Sequence, residues 1–238
     1  GFHGPVATST FSDYSLSQWR KVLMDPQRET RLAMAEENLQ RAETAPQFRP
    51  RTLRGGAAEG RLVGGNLSVL TALVGTPYAA DFERAILFLE EIGEEPYRID
   101  RMLTQLQQSQ GLARAAGLLC GVFERCEPRG SEPSLSLAET LDEHLVPAGL
   151  PAVYGWSFGH IAQQMTLPIG VRARLDPAAG VLTLLVAFTL EPTVVPGPTT
   201  VAFAQLSLAG APTPTVPWSS SSPSCMSPPP KGTSNVMR

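Results

Sequence analysis

His160, one of three histidines in the chain, stands in "YGWSFGHIAQQMTLPIG" (residues 154–170), a loop-like stretch of Gly, Ser and aromatics that runs into an apolar strand pattern. A lone histidine in such a place is more often structural than catalytic, and a catalytic base needs partners elsewhere in the chain. The informative partner is Glu90, in "AILFLEEIGEEPYRID". Residues 85–90 form a short continuous apolar run of the kind that makes a buried strand, and the run ends in carboxylates. Strand alternation sends Glu90 and Glu91 to opposite faces, so only one of them shares the core face. Glu90 is assigned to it, where a carboxylate is costly unless paired or hydrogen-bonded. Glu91, Glu94 and Glu95 then read as a solvated turn and the acidic start of a helix, which the helix dipole favours. Asp100 and Arg101 read as a local ion pair, worth little if exposed.

An interior carboxylate beside a loop histidine is the orienting half of a nucleophilic triad. The carboxylate fixes the tautomer and steadies the imidazolium that forms when the histidine takes a proton. The nucleophile is the missing part. Ser157 is too near His160 in sequence to be assigned, and Cys120, inside an apolar run, reads as inert core. His3, His144 and His160 are not at metal spacings, and the carboxylates make no ligand pattern with them, so the spacing does not point to a metal site. Read from its residues alone, the chain offers half a triad.

The elements that would position these groups follow from periodicity and punctuation. Residues 15–42, rich in Leu, Met, Ala, Glu and Arg, read as helix divided at Pro26. "PQFRPRTLRGGAAEGRLVGG" (46–65) reads as turns and a crossing loop that mark a domain boundary, with a short extended piece near 61–63. "NLSVLTALVG" suits a short helix ended by Gly75. After the 85–90 strand, a helix opens at Pro96 with Ile99, Met102, Leu103 and Leu106 on its buried face and stops at Gly111. "AGLLCGVF" reads as a strand, "LAETLDEHL" as a helix capped by Ser136, and "PAVYGWSF" as a further strand. In "IGVRARLDPAAGVLTLLVAF", Asp176, Pro177 and Gly180 separate the two arms of a hairpin. The class is α/β with an antiparallel component.

At 238 residues, 42% hydrophobic and 17% charged, the chain has the composition of an ordinary globular protein with a substantial core. A net charge of -3 with scattered basic residues argues against a nucleic-acid face. The odd set Cys120, Cys126 and Cys225, with no CxxC, argues against a zinc site or disulfide framework and fits a reducing compartment. No apolar run reaches the roughly 18 residues of a membrane span, and no signal peptide is visible. The opening "GFHGPV" lacks a methionine and reads as the interior of a longer protein. From Pro192 to Pro230 no residue is charged, so disorder is expected there.

Four stretches carry a family resemblance: "HGPV" near the start, "GRLVGGNLSVLTALVGTPY", "ILFLEEIGEEPYRIDRMLTQL" and "YGWSFGHIAQQMTLPIGVRARLD". In this order, over residues 3–185, they resemble the C-terminal half of the LD-carboxypeptidases, also called muramoyltetrapeptide carboxypeptidases. The resemblance implies a cytoplasmic serine peptidase with a Ser-Glu-His triad and no cofactor. Such an enzyme removes the terminal D-alanine from the murein tetrapeptide in peptidoglycan recycling.

The family's triad glutamate falls on Glu90 and its histidine on His160. Its serine lies in a G-x-S-D turn ahead of the HGP segment, and no such turn occurs in these residues. The resemblance therefore implies three parts. Residues 1–50 would be the last helical part of a flavodoxin-like nucleophile domain. Residues 51–188 would be the C-terminal domain, a mixed sheet with helices and a terminal hairpin, and 189–238 a disordered tail. Gly64, Gly65 and Asn66 would shape the cleft by close backbone approach, a plain turn being the alternative. The expected partners are the murein tetrapeptide or a related small peptide and a second copy in a homodimer, with neither nucleic acid nor membrane. The rival readings are a microcin C immunity-type peptidase and a non-catalytic remnant or binding module.

Overall fold

The computed structural model describes residues 1–6, 8–130, 133–185, 188–192 and 204–208. Strand β1 (Phe2–His3), helix α1 (Asp13–Leu23), strand β2 (Glu29–Ala33), helix α2 (Glu36–Arg41) and a 3-10 turn at Pro46–Phe48 come first. Strands β3 (Arg51–Arg54) and β4 (Ala58–Asn66) lead into helix α3 (Leu67–Ala72). Two strand–helix units follow: β5 (Ala85–Ile92) with α4 (Pro96–Ser109), and β6 (Gly117–Glu124) with α5 (Leu137–Leu145). The chain continues through β7 (Ala152–Trp156), β8 (Leu167–Pro168), β9 (Arg172–Asp176) and β10 (Val181–Leu185), then β11 (Phe188–Pro192) and β12 (Ala204–Leu208).

Eight strands join in one mixed sheet in the order β2-β10-β9-β4-β5-β6-β7-β3. Its centre, β4 to β7, is parallel, and antiparallel strands flank it on both sides. The parallel strands are buried on both faces, which is why they read as continuous apolar runs. On one face Leu87 and Leu89 pack under Ile99, Leu103 and Leu106 of α4 and Leu141 of α5. On the other, Ile86 and Phe88 pack with Trp156, Phe158 and Leu182. The four positions expected on the buried face of α4 are all buried. Helix α5 opens with a reciprocal capping box between Ser136 and Glu139. The β9–β10 hairpin turns where Asp176 Oδ1 accepts the Ala178 and Ala179 N–H groups, at 3.1 and 3.0 Å.

The helix expected over residues 15–42 is interrupted by a strand. β2 alternates exposed Glu29, Arg31 and Ala33 with buried Thr30 and Leu32 and pairs antiparallel with β10. That period of two, hidden in a composition rich in helix formers, gives Leu32 a core and covers the outer edge of β10. Residues 29–33 thereby enter the same sheet as the strands that follow. The extended piece near 61–63 is the middle of the longer β4. Within the span expected to be a tail, β11 pairs antiparallel with β12, and the remainder lies outside the described residues. Among the described residues, no helix is long and apolar enough to cross a membrane.

Candidate active site

The site lies at the carboxyl ends of the parallel strands, where open α/β sheets present their crevices. Asn66 ends β4, Glu90 stands near the end of β5, and His160 follows β7. Glu90 is fully buried, and its Oε2 lies 2.8 Å from His160 Nδ1. Opposite a carboxylate oxygen, Nδ1 is the nitrogen that donates, which in the neutral imidazole leaves the lone pair on Nε2. The imidazole is half exposed, so that lone pair is accessible to a bound molecule. The structure thus brings together the two residues that the sequence singled out.

β6 lies between β5 and β7, so the chain after β7 must cross it for His160 to meet Glu90. The crossing is made at Gly121 of β6, where a Cβ would overlap the backbone oxygen of Phe158. The next residue, Val122, donates its N–H to that same oxygen at 3.0 Å. Gly159, with φ of 117°, completes the approach: a Cβ there would stand 2.8 Å from Val122 O and 3.2 Å from Glu90 Oε2. Neither glycine was singled out from the sequence. The available signal was a glycine inside an apolar strand, which marks a close backbone approach.

The other acidic groups divide by environment. Glu91 is not a solvated turn residue; it is buried on the opposite face from Glu90. Its carboxylate accepts from Asn66 Nδ2 (2.8 Å), Ser68 N (2.8 Å), Ser68 Oγ (2.7 Å) and Ile92 N (2.8 Å). Four donors offset the cost of its burial and tie the end of β5 to the start of α3. Asp100 pairs with His144 Nε2 at 2.8 Å, across α4 and α5, rather than with Arg101. This places His144 outside the site.

Gly64, Gly65 and Asn66 play different parts. A Cβ on Gly64 would overlap the Phe88 backbone, so this glycine seats β4 against β5, while one on Gly65 would meet nothing within 4 Å among the described residues. Asn66 lines the cleft, but its side chain is spent internally, accepting from Val69 N at 3.1 Å and donating to Glu91.

The cleft has a volume of about 400 Å³, and His3, Ser9, Glu90, Gly159 and His160 are among the residues that line it. The His3 ring packs against Phe88 and Phe158, with centroids 5.6 and 6.1 Å away. Burial holds this imidazole below its usual 6.5, against the opposing pull of Glu90, and His160 adds to the lowering. His3 is a site residue that the sequence placed only in the HGPV motif and among histidines not spaced for a metal.

Residues 155–159 spell G-x-S-x-G, the spacing of a nucleophile elbow, although no such elbow was expected from the sequence. Ser157 is nevertheless fully buried, and its Oγ accepts the Ala35 N–H at 2.9 Å, so it is a packing residue. Desolvation pushes the buried Cys120 thiol up to about 12, which removes its nucleophilic form. Among the described residues, no hydroxyl or thiol hydrogen-bonds to His160 Nε2, and no three or more His, Cys, Asp or Glu side chains converge as metal ligands.

Residues 59–175 match the family described as the LD-carboxypeptidase C-terminal domain. A Bacillus subtilis protein named "Probable murein peptide carboxypeptidase" is 39% identical over 178 residues, covering 74% of this chain and 53% of the relative. The murein tetrapeptide carboxypeptidase of Pseudomonas aeruginosa is 38% identical over 120 residues, covering 50% of this chain and 38% of the relative. The chain spans about half the length of the curated relatives it matches. The crystal structure of muramoyltetrapeptide carboxypeptidase from Oxalobacter formigenes is similar at a TM-score of 0.60 and 31% identity, over 77% of this chain and 59% of that one. MccF in complex with glutamyl sulfamoyl guanosine shares the fold, with a TM-score of 0.64 and 21% identity over 77% of this chain and 60% of that one. Residues 59–175 are thereby assigned to the LD-carboxypeptidase C-terminal domain family.

Proposed function

We propose that this chain supplies the base and its orienting carboxylate to a serine-type LD-carboxypeptidase, which releases terminal D-alanine from the murein tetrapeptide in peptidoglycan recycling in the cytoplasm. The observation that carries the reading is the 2.8 Å pairing of buried Glu90 with half-exposed His160 in an open cleft. In this reading His160 Nε2 takes the proton of an attacking serine hydroxyl as it adds to the scissile carbonyl. It then returns that proton to the departing amine of D-alanine. Glu90 holds Nδ1–H throughout and stabilises the imidazolium between the two transfers. The deacylating water is activated by the same nitrogen.

The serine is assigned outside residues 1–238, because no G-x-S-D turn occurs in the sequence and, among the described residues, no hydroxyl or thiol hydrogen-bonds to His160 Nε2. The relatives named for murein peptides favour a peptide substrate. The test joins this chain to the N-terminal part of the Oxalobacter formigenes enzyme and follows D-alanine release from murein tetrapeptide, with a microcin C-type aminoacyl-nucleotide as competitor substrate. Release of D-alanine by the chimera and none by the 238-residue chain is the expected result. Turnover by the unjoined chain, or preference for the nucleotide conjugate, would overturn it. A folded chimera inert on both substrates would support a non-catalytic binding module.

A further inference from the structure

We infer that Ser15 and Asn38 are positioning residues for His160, clamping the backbone of its loop from a part of the chain more than a hundred residues away. The inference rests on reading Glu90 and His160 as the working pair. Residues 157–166 form no regular secondary structure, so no ladder holds the histidine in place. Among the described residues its ring has one hydrogen bond, to Glu90. Unless something else orders this segment, the conformational freedom of about ten residues competes with that single contact.

The restraints come from α1 and α2. Ser15 and Asn38 are each 1% exposed. Ser15 Oγ donates to Ala162 O at 3.1 Å and accepts from Gln164 N at 2.9 Å. It also accepts from Ser12 Oγ at 3.0 Å, so its one donor and two acceptor sites are all used. Asn38 Nδ2 donates to Gln163 O at 2.7 Å. Three consecutive loop residues, 162 to 164, are thus held by two buried side chains. On the other flank of His160, Ser157 Oγ accepts from Ala35 N, and Met165 N–H closes the loop onto Ser157 O at 2.6 Å. The restraints straddle His160 and leave its ring free to face the cleft. That is the arrangement that holds a catalytic group in place ahead of substrate binding.

The experiment follows the Nδ1–H proton of His160 by NMR in the 238-residue chain, in Ser15→Ala and in Asn38→Leu, which nearly keeps the shape of the side chain and removes the donor. Ser15→Cys, nearly isosteric and a weaker hydrogen-bonding group, replaces Ser15→Ala if the latter does not fold. His144, paired with Asp100 on the other face of the sheet, is the internal reference. The expected result is solvent exchange of the His160 Nδ1–H faster by about tenfold or more, as local opening requires, with the His144 signal unchanged. An unchanged His160 signal in both folded variants, or equal losses at both histidines, would overturn the inference. The readout needs no turnover, so failure of the peptidase reading and failure of the clamp are separately visible.

Discussion

His160 Nδ1 and Glu90 Oε2 meet at 2.8 Å although the two residues are 70 positions apart in the chain and strand β6 lies between the strands that lead to them. Each end of this contact is set by a different constraint. A position on a central strand buries Glu90, and a backbone crossing over Gly121 delivers His160.

Replacing Glu90 with Gln keeps the volume and lets the side chain donate, so His160 is driven toward the tautomer with its proton on Nε2. In the chimeric enzyme described above, D-alanine release is expected to fall by on the order of 10⁴ in kcat with KM little changed. A KM effect alone would place Glu90 in substrate binding instead.

Gly121→Ala puts a methyl group into the space of Phe158 O. Overpacking of this kind costs about 1–3 kcal/mol, readable as a lowered urea midpoint. The same variant is expected to weaken the His160 Nδ1–H signal, because the shifted segment carries the histidine. A stability at the wild-type level would show that the crossing has room to spare.

His3 gives the fold a pH dependence whose sign is fixed by its burial. Its folded-state pKa lies below the unfolded 6.5, so between those values the unfolded chain binds more protons and stability rises with pH. The contribution is complete above about 6.5 and is lost as pH falls toward the folded value. His3→Gln is expected to flatten this part of the stability profile, which lies below about pH 6.5. Urea titrations of the two proteins across that range check it, and parallel profiles would dismiss His3 as the source.

Burial pushes the Cys126 thiol up to about 11 and the Cys120 thiol up to about 12. Both are expected to resist an aromatic disulfide reagent at about pH 8, where an ordinary exposed thiol reacts, and to react once urea unfolds the chain. Mass mapping of the labelled sites separates these two from Cys225. Rapid labelling of Cys120 in the folded chain would contradict its placement on β6.

The legible parts of the fold were those written in local pattern. The apolar run before Glu90, the buried face of α4, the Ser136 cap and the Asp176–Gly180 turn each depend on residues within a few positions of one another, and each formed where expected. β2 was not legible, because five residues of helix-forming composition become a strand only when β10 offers an edge. Glu91 was misread for a related reason. A carboxylate at a strand end looks solvated until Asn66 and Ser68 arrive from another strand and helix to supply its donors.

The sequence by itself determined the alternation that sends Glu90 and Glu91 to opposite faces, the glycine-rich, irregular segment that carries His160, and the motifs that mark the family. Tertiary structure alone decided that these two side chains touch, that Ser157 is sealed away despite its G-x-S-x-G setting, and that Ser15 and Asn38 grip the histidine loop. The division has a physical cause. Periodicity and turn chemistry act over a few residues, whereas the contacts that make a site come from strand order and loop crossings, which no local pattern encodes.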